Sequence, residues 1–201
     1  MNEQLQSITG VILAGGQSRR MGRNKATLTV QQQSLLEIML NKLRSVFQHV
    51  VLSGSQAAAY HTGLPVIDDF FPGCGPLAGI HAALKLCAGR GVFVIGCDMP
   101  LVPPELIRYI CNCSNFDLVV PRVGDYLEPL CAFYHRSCLP FIEQALNQGR
   151  YKITSFFPRV RARYLTAEEI SRFAPPDRAF FNINTPADWD RFCALYPDLK
   201  A

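Results

Sequence analysis

Gly10-Val11-Ile12-Leu13-Ala14-Gly15-Gly16-Gln17-Ser18-Arg19-Arg20-Met21-Gly22-Arg23-Asn24-Lys25 decides how the rest of the chain is read. It opens on a short apolar run bounded by turn residues, the pattern of a buried strand. Gly15 and Gly16 carry no Cβ, so their backbone amides are free to turn around a small anion. Arg19, Arg20 and Lys25 follow, cations that meet phosphate as paired donors or as a point charge. Strand, glycine turn and clustered cations together suggest a triphosphate cradle. The competing reading is a plain tight turn followed by a solvated arginine pair. The spacing is neither GxGxxG nor GxxxxGK[ST], so neither a dinucleotide-binding strand nor a Walker P-loop is indicated.

Outward from this stretch, apolar strand-like runs recur at residues 11–13, 50–52, 65–67, 91–95, 118–120 and 130–134. Helical patterns separate most of them. Residues 34–47 carry Leu35, Ile38, Met39, Lys42, Leu43 and Val46 as one stripe, and residues 76–88 carry Leu77, Ile80, Leu84 and Cys87. Pro103-Pro104-Glu105 opens another helix, with proline and an acid where a first turn favours them. This alternation predicts an α/β fold, three layers with a mainly parallel central sheet, as one domain over residues 1–201. The second half is less regular. A basic stretch at residues 159–164 ends in strand-like alternation, and Thr185-Pro186 with Asp188 predicts the cap of a last helix.

Composition agrees with a folded chain: 201 residues, 49% apolar, 18% charged and a net charge of +4 without a dense basic tract. Small anionic ligands suit that charge better than nucleic acid does. No apolar run is long enough to span a bilayer, and no basic region precedes an apolar one at the N-terminus, so a cytoplasmic protein is expected. Eight cysteines form no CxxC pair, which favours reduced thiols over zinc, with Cys87, Cys97, Cys131 and Cys193 as small buried hydrophobes.

Two further strand ends carry acids. The run ending Val94-Ile95-Gly96-Cys97-Asp98 should bring Asp98 to the crevice of the glycine turn, where a carboxylate would hold Mg²⁺ with substrate phosphates or simply cap the next turn. Pro65-Val66-Ile67-Asp68-Asp69 is the second such end. Asn182 and Asn184, two apart, would share one face of a strand and either bind a ligand or serve loop hydrogen bonding. The histidines, at 49, 61, 81 and 135, show no pairing that suggests ligands; His81 reads as a satisfied, partly buried helix residue.

Leu13-Ala14-Gly15-Gly16, Ser18, Arg20-Met21-Gly22 and Lys25 closely resemble the signature loop of Leu-Ala-Gly-Gly nucleotidyltransferases. Cys97-Asp98-Met99-Pro100, Glu128-Pro129-Leu130 and Asn182-Ile183-Asn184-Thr185-Pro186 narrow the resemblance to the molybdenum cofactor guanylyltransferases, over residues 9–192. The resemblance implies transfer of GMP from GTP to molybdopterin, with cofactor-biosynthesis proteins and acceptor apoenzymes as further partners. It assigns Leu13, Ala14, Gly15, Gly16, Lys25, Ser53, Asp69 and Asp98 to the nucleotide, with Asp98 holding Mg²⁺. Arg19, Arg20, Lys25 and Asp98 would act on the reacting phosphates, Arg20 matching the family register. Glu128, Arg150, Lys152, Asn182 and Asn184 would face the acceptor, in the C-terminal half.

Two departures stand out. Ser53 occupies a position where related enzymes commonly carry asparagine, so backbone groups are expected to select guanine; Asn24 replaces the usual aspartate before the lysine. The rival readings are a CTP-dependent molybdopterin cytidylyltransferase, whose loop usually reads Leu-Ala-Ala-Gly, a sugar-phosphate nucleotidyltransferase, for which the chain is short, and a non-catalytic GTP- or cofactor-binding module.

Overall fold

The computed structural model describes residues 3–15, 25–54, 57–113 and 115–195. A short helix α1 (Glu3–Gln6) leads into β1 (Ile8–Leu13), and the chain returns through a hairpin of β2 (Thr29–Val30) and β3 (Gln33–Ser34). Then come α2 (Leu35–Arg44), β4 (His49–Ser53), β5 (Val66–Ile67), α3 (Pro76–Leu86), β6 (Gly91–Gly96) and α4 (Pro104–Cys111). The second half supplies β7 (Leu118–Val123), β8 (Tyr126–Leu127), β9 (Cys131–His135), α5 (Leu139–Asn147) and β10 (Ala162–Leu165). It closes with α6 (Ala167–Ser171), α7 (Pro176–Ala179) and α8 (Pro186–Leu195).

The main sheet has the order β10-β7-β9-β6-β1-β4-β5, with β8 paired to β7. β1 is parallel to β4 and β6, β4 to β5, and β10 to β7; β9 runs against both of its neighbours. A mainly parallel α/β sheet is what the alternation predicted. The central strands β1 and β6 are buried along their whole length because helices cover both faces. Ile8, Ile12, Phe93 and Ile95 join one buried cluster with residues of α2 and α4. Val11, Leu13, Val92 and Val94 point the other way, into a cluster with residues of α3 and α5.

Local sequence explains several boundaries. Ser34 caps α2 through a reciprocal box with Glu37, and the helix stops at Arg44, short of the predicted 47, with Val46 and Phe47 buried beyond it. Thr185 and Asp188 form the predicted cap of α8: the Asp188 carboxylate accepts from the Thr185 N–H and hydroxyl, and the Asp188 N–H donates back to Thr185 Oγ1. Helices α5, α6 and α7 and the hairpin lay outside the sequence reading. Residues 181–184 are irregular, so the strand expected to carry Asn182 and Asn184 does not form. All eight cysteines are free; Cys87 and Cys131 are buried as expected, while Cys97 and Cys193 are only partly so.

Candidate active site

The strand register sets one row of residues level across the sheet: Gly96, Leu13, Ser53 and Ile67, on β6, β1, β4 and β5. These are carboxyl ends of parallel strands, the edge where ligands gather in such sheets. Asp98 lies two residues past this row, Ala14 and Gly15 follow Leu13, Gly54 follows Ser53, and Asp68-Asp69 follow Ile67. The antiparallel β9 pairs Cys131 with Ile95, so its start brings Leu130 and Glu128 to the same edge. The Gly96 N–H donates to the Leu130 carbonyl at 2.9 Å, and the Cys131 N–H to the Glu128 carbonyl at 2.9 Å.

The first loop is tied down on both sides. The Ala14 N–H donates to the Ser53 carbonyl at 2.9 Å, and the Cys97 N–H to the Leu13 carbonyl at 3.3 Å. Gly54 sits at φ +139°, and a methyl there would stand 2.6 Å from the Gly15 nitrogen and 2.8 Å from its Cα. Only glycine fits both that dihedral and that approach. Gly16, Arg19, Arg20 and the Lys25 side chain lie outside the described residues; the backbone re-enters at Lys25 in a 3₁₀ turn whose next residue, Ala26, is buried.

Asp98 and Glu128 meet at the other end of the row. A methyl on Gly96 would come 2.6 Å from Asp98 Oδ1, which places that carboxyl close over the strand end. Burial, with the neighbouring Asp98 carboxylate adding to it, pushes the Glu128 carboxyl up to about 7. Two acids side by side at this edge are a donor set that suits a hard divalent cation. Among the described residues no third histidine, cysteine or acid joins them, so phosphate and water oxygens would have to fill the remaining positions, as Mg²⁺ ordinarily allows.

Between the two loops lie two buried side-chain oxygens. Ser53 is fully buried, and its Oγ and the Asp69 Oδ1 are buried atoms without a hydrogen-bond partner. A methyl on Gly79, in α3, would stand 2.9 Å from Ser53 Oγ and 3.7 Å from Asp69 Oδ1. Burial raises the Asp69 carboxyl, helped by the neighbouring Asp68 carboxylate. Buried oxygens left without partners are costly, and a ligand that supplied donors would relieve that cost.

The acceptor-side residues gather only in part. The Ile183 N–H donates to the Asp98 carbonyl at 2.9 Å, so Asn182 and Asn184 flank the Asp98 turn even without a strand. The Asn182 amide donates to the Phe180 carbonyl at 3.0 Å, and the Asn184 N–H to the Asp188 carboxylate at 3.0 Å. Glu143 on α5 faces His81 and Lys85 on α3, and Tyr151 meets the Cys74 thiol, so the end of α5 lies beside the start of α3. Arg150 and Lys152 are exposed there, on the side of the Asp69 loop, the Arg150 guanidinium donating to Gln148 Oε1 at 2.6 Å.

The MobA-like NTP transferase domain matches residues 10–163, a span that holds the strand-end residues of this edge and leaves out Asn182 and Asn184. The chain belongs to that family. It is 43% identical, over 90% of its length and 89% of the relative's, to a probable molybdenum cofactor guanylyltransferase of Pelotomaculum thermopropionicum. It is 33% identical, over 95% and 93% of the two lengths, to the molybdenum cofactor guanylyltransferase of Syntrophotalea carbinolica. In three dimensions it is similar to molybdopterin-guanine dinucleotide biosynthesis protein A from Archaeoglobus fulgidus, with a TM-score of 0.83, 31% identity and coverage of 94% and 99%. The protein is a nucleotidyltransferase.

Two residues of this nucleotidyltransferase differ from the sequence reading. His81 is wholly buried rather than partly, and neither ring nitrogen has a hydrogen bond; it packs edge-on against Phe70 and Phe71, with Glu143 Oε1 3.6 Å away, and burial lowers its pKa. Lys42 was absorbed into the α2 stripe, yet it reaches the Asp98 turn. A lysine on an otherwise apolar stripe is the signal that could have found it.

Proposed function

We propose that this nucleotidyltransferase joins GMP from GTP to the terminal phosphate of molybdopterin, releasing pyrophosphate and forming the guanine dinucleotide cofactor. The observation that carries the reading is the level row Gly96-Leu13-Ser53-Ile67, which sets Ala14-Gly15, the acids Asp98 and Glu128 and the buried oxygens of Ser53 and Asp69 on one edge. The identity to guanylyltransferases supports the choice of nucleotide and acceptor. An acceptor phosphate is already ionised, so no protein nucleophile is needed, and rate must come from placement and charge neutralisation. In this reading Leu13 to Gly16 wrap the triphosphate, and Arg19, Arg20 and Lys25 offset charge on the departing pyrophosphate. Ser53 and Asp69 border the nucleoside, and Asp98, with Glu128 beside it, would hold Mg²⁺. When bound, Mg²⁺ would withdraw charge from the α-phosphate.

The N-terminal half of the single domain serves GTP and the C-terminal half serves the pterin, through Glu128, Arg150, Lys152, Asn182 and Asn184. The reaction would run in the cytoplasm, between the proteins that build the cofactor and the apoenzymes that receive it. Gly15, where cytidylyltransferases usually carry alanine, supports GTP over CTP. The test is pyrophosphate release with molybdopterin and Mg²⁺, using GTP or CTP. Release with GTP alone is expected. Release with CTP at equal efficiency, or none with either, defeats the reading.

A further inference from the structure

Lys42 sits in the last turn of α2 with its side chain drawn inward, and its ammonium donates to two backbone carbonyls, those of Pro100 and Val102, the latter at 2.5 Å. Burial pulls its pKa down to about 8, against the opposing pull of Cys131 and Glu105. Desolvating an ammonium is costly unless strong acceptors replace water. Its two partners lie two and four residues past Asp98, in the turn that links β6 to α4. That turn is held at its start by the Cys97 N–H on Leu13 and the Met99 N–H on Gly96, at 3.3 Å each, and at Asp98 itself by the Ile183 N–H. Pro100, Pro103 and Pro104 offer no N–H, so this stretch has few donors of its own with which to fix its shape. Lys42 supplies donors from outside the turn.

We infer that Lys42 is a positioning residue for Asp98: by clamping the Pro100 and Val102 carbonyls it fixes the turn that aims the carboxylate at a nucleotide-bound divalent cation. The inference rests on Asp98 being the metal-holding acid proposed above. A lysine that only stabilised α2 against α4 would change melting and leave the metal constant alone, which separates the two roles.

The experiment uses Mn²⁺ as the probe, its free concentration read by electron paramagnetic resonance in the presence of GTP. The full-length protein is compared with its Lys42→Met and Lys42→Arg variants. Lys42→Met keeps the stem and removes the donors; it should weaken Mn²⁺ binding to the GTP complex about tenfold, with metal-free GTP affinity within twofold of the parent. Lys42→Arg keeps donors for two carbonyls and should stay within threefold on both. If Lys42→Met does not fold, Lys42→Gln replaces it under the same tenfold criterion. Unchanged Mn²⁺ affinity, an equal loss of Mn²⁺ and metal-free GTP affinity, or no rescue by arginine overturns the inference. Asp98→Asn, measured in parallel, tests the underlying assignment: if it binds Mn²⁺ as the parent does, Asp98 is not the metal acid, and the failure lies there rather than with Lys42.

Discussion

The backbone N–H of Ile183 donates to the carbonyl oxygen of Asp98 at 2.9 Å. That bond joins the turn after β6 to the segment before α8, residues 85 positions apart in the chain (183 minus 98). It draws Asn182 and Asn184 to the acid that ends the central strand. Ile183 itself is fully buried with Leu101 and Phe192, so packing of α8 and placement of the asparagines are one event.

Asp98→Asn should lower turnover by two to three powers of ten, roughly 3–4 kcal/mol of transition-state stabilisation, because it keeps the shape and loses the charge proposed above to hold the metal. The backbone bond to Ile183 is untouched, so the metal-free melting temperature should stay within a few degrees. A Mg²⁺ series in the turnover assay, paired with a melt, checks both. A lower melt with near-normal turnover would make Asp98 a structural cap.

Gly54→Ala should be costly twice over. The left-handed backbone and the 2.6 Å approach to the Gly15 nitrogen leave no room for a methyl. A stability loss of about 2–3 kcal/mol is expected, with GTP affinity down more than tenfold because the first loop must move. Urea unfolding and GTP titration measure the two effects. Parental values in both would show that the loops are free to separate.

Ser53→Ala removes a buried hydroxyl that has no hydrogen-bond partner in the protein. Stability should hold or rise slightly, and GTP-over-CTP preference should move less than threefold. A tenfold loss of preference, about 1.4 kcal/mol, would mean that the hydroxyl reads the base.

Replacing both Arg150 and Lys152 by alanine should raise the molybdopterin KM at least fivefold and leave the GTP KM within twofold. Both side chains are exposed, so folding should not suffer. Equal losses for the two substrates would end the division of labour between the halves.

Glu169→Gln gives a pH signature. The Thr166 N–H holds the Glu169 carboxyl below its ordinary value of about 4.5; burial opposes this, while the Tyr109 hydroxyl and Arg163 guanidinium assist. Arg163 lies 2.8 Å from Glu169 Oε1 and Tyr109 donates to it at 2.7 Å. A depressed carboxyl contributes stability that is complete above about 4.5 and lost as pH falls through the lower folded value. The variant should be about 1 kcal/mol less stable than the parent at pH 7, with the gap closing as pH falls through the lowered Glu169 value. A gap that stays constant with pH would show that the charge is not what matters.

The basic second half shows where sequence reading reached its end. Arg159, Arg161 and Arg163 look alike in one dimension, yet Arg159 donates to Gln144, Arg161 pairs with Asp117 at 3.3 Å and Arg163 with Glu169. Which cations serve folding depends on acids 6 to 44 residues away, and no local pattern encodes those meetings. Helix α5 was missed for a related reason: its buried stripe of Ile142, Ala145 and Leu146 is short, and α3 supplies the surface that makes it worth forming.

The sequence by itself determined most strands of the main sheet and the acids that close β5 and β6, because apolar runs and turn residues act locally through sterics and burial. It determined the cap of α8 as well, since Thr185 and Asp188 are three residues apart. Only the tertiary structure decided that Glu128 stands beside Asp98, that the Ser53 and Asp69 oxygens both lie against Gly79, and that Lys42 crosses from α2 to the Asp98 turn. Each of these depends on strand order and register, which are fixed by how two apolar faces are covered at once, and no short stretch of chain carries that information.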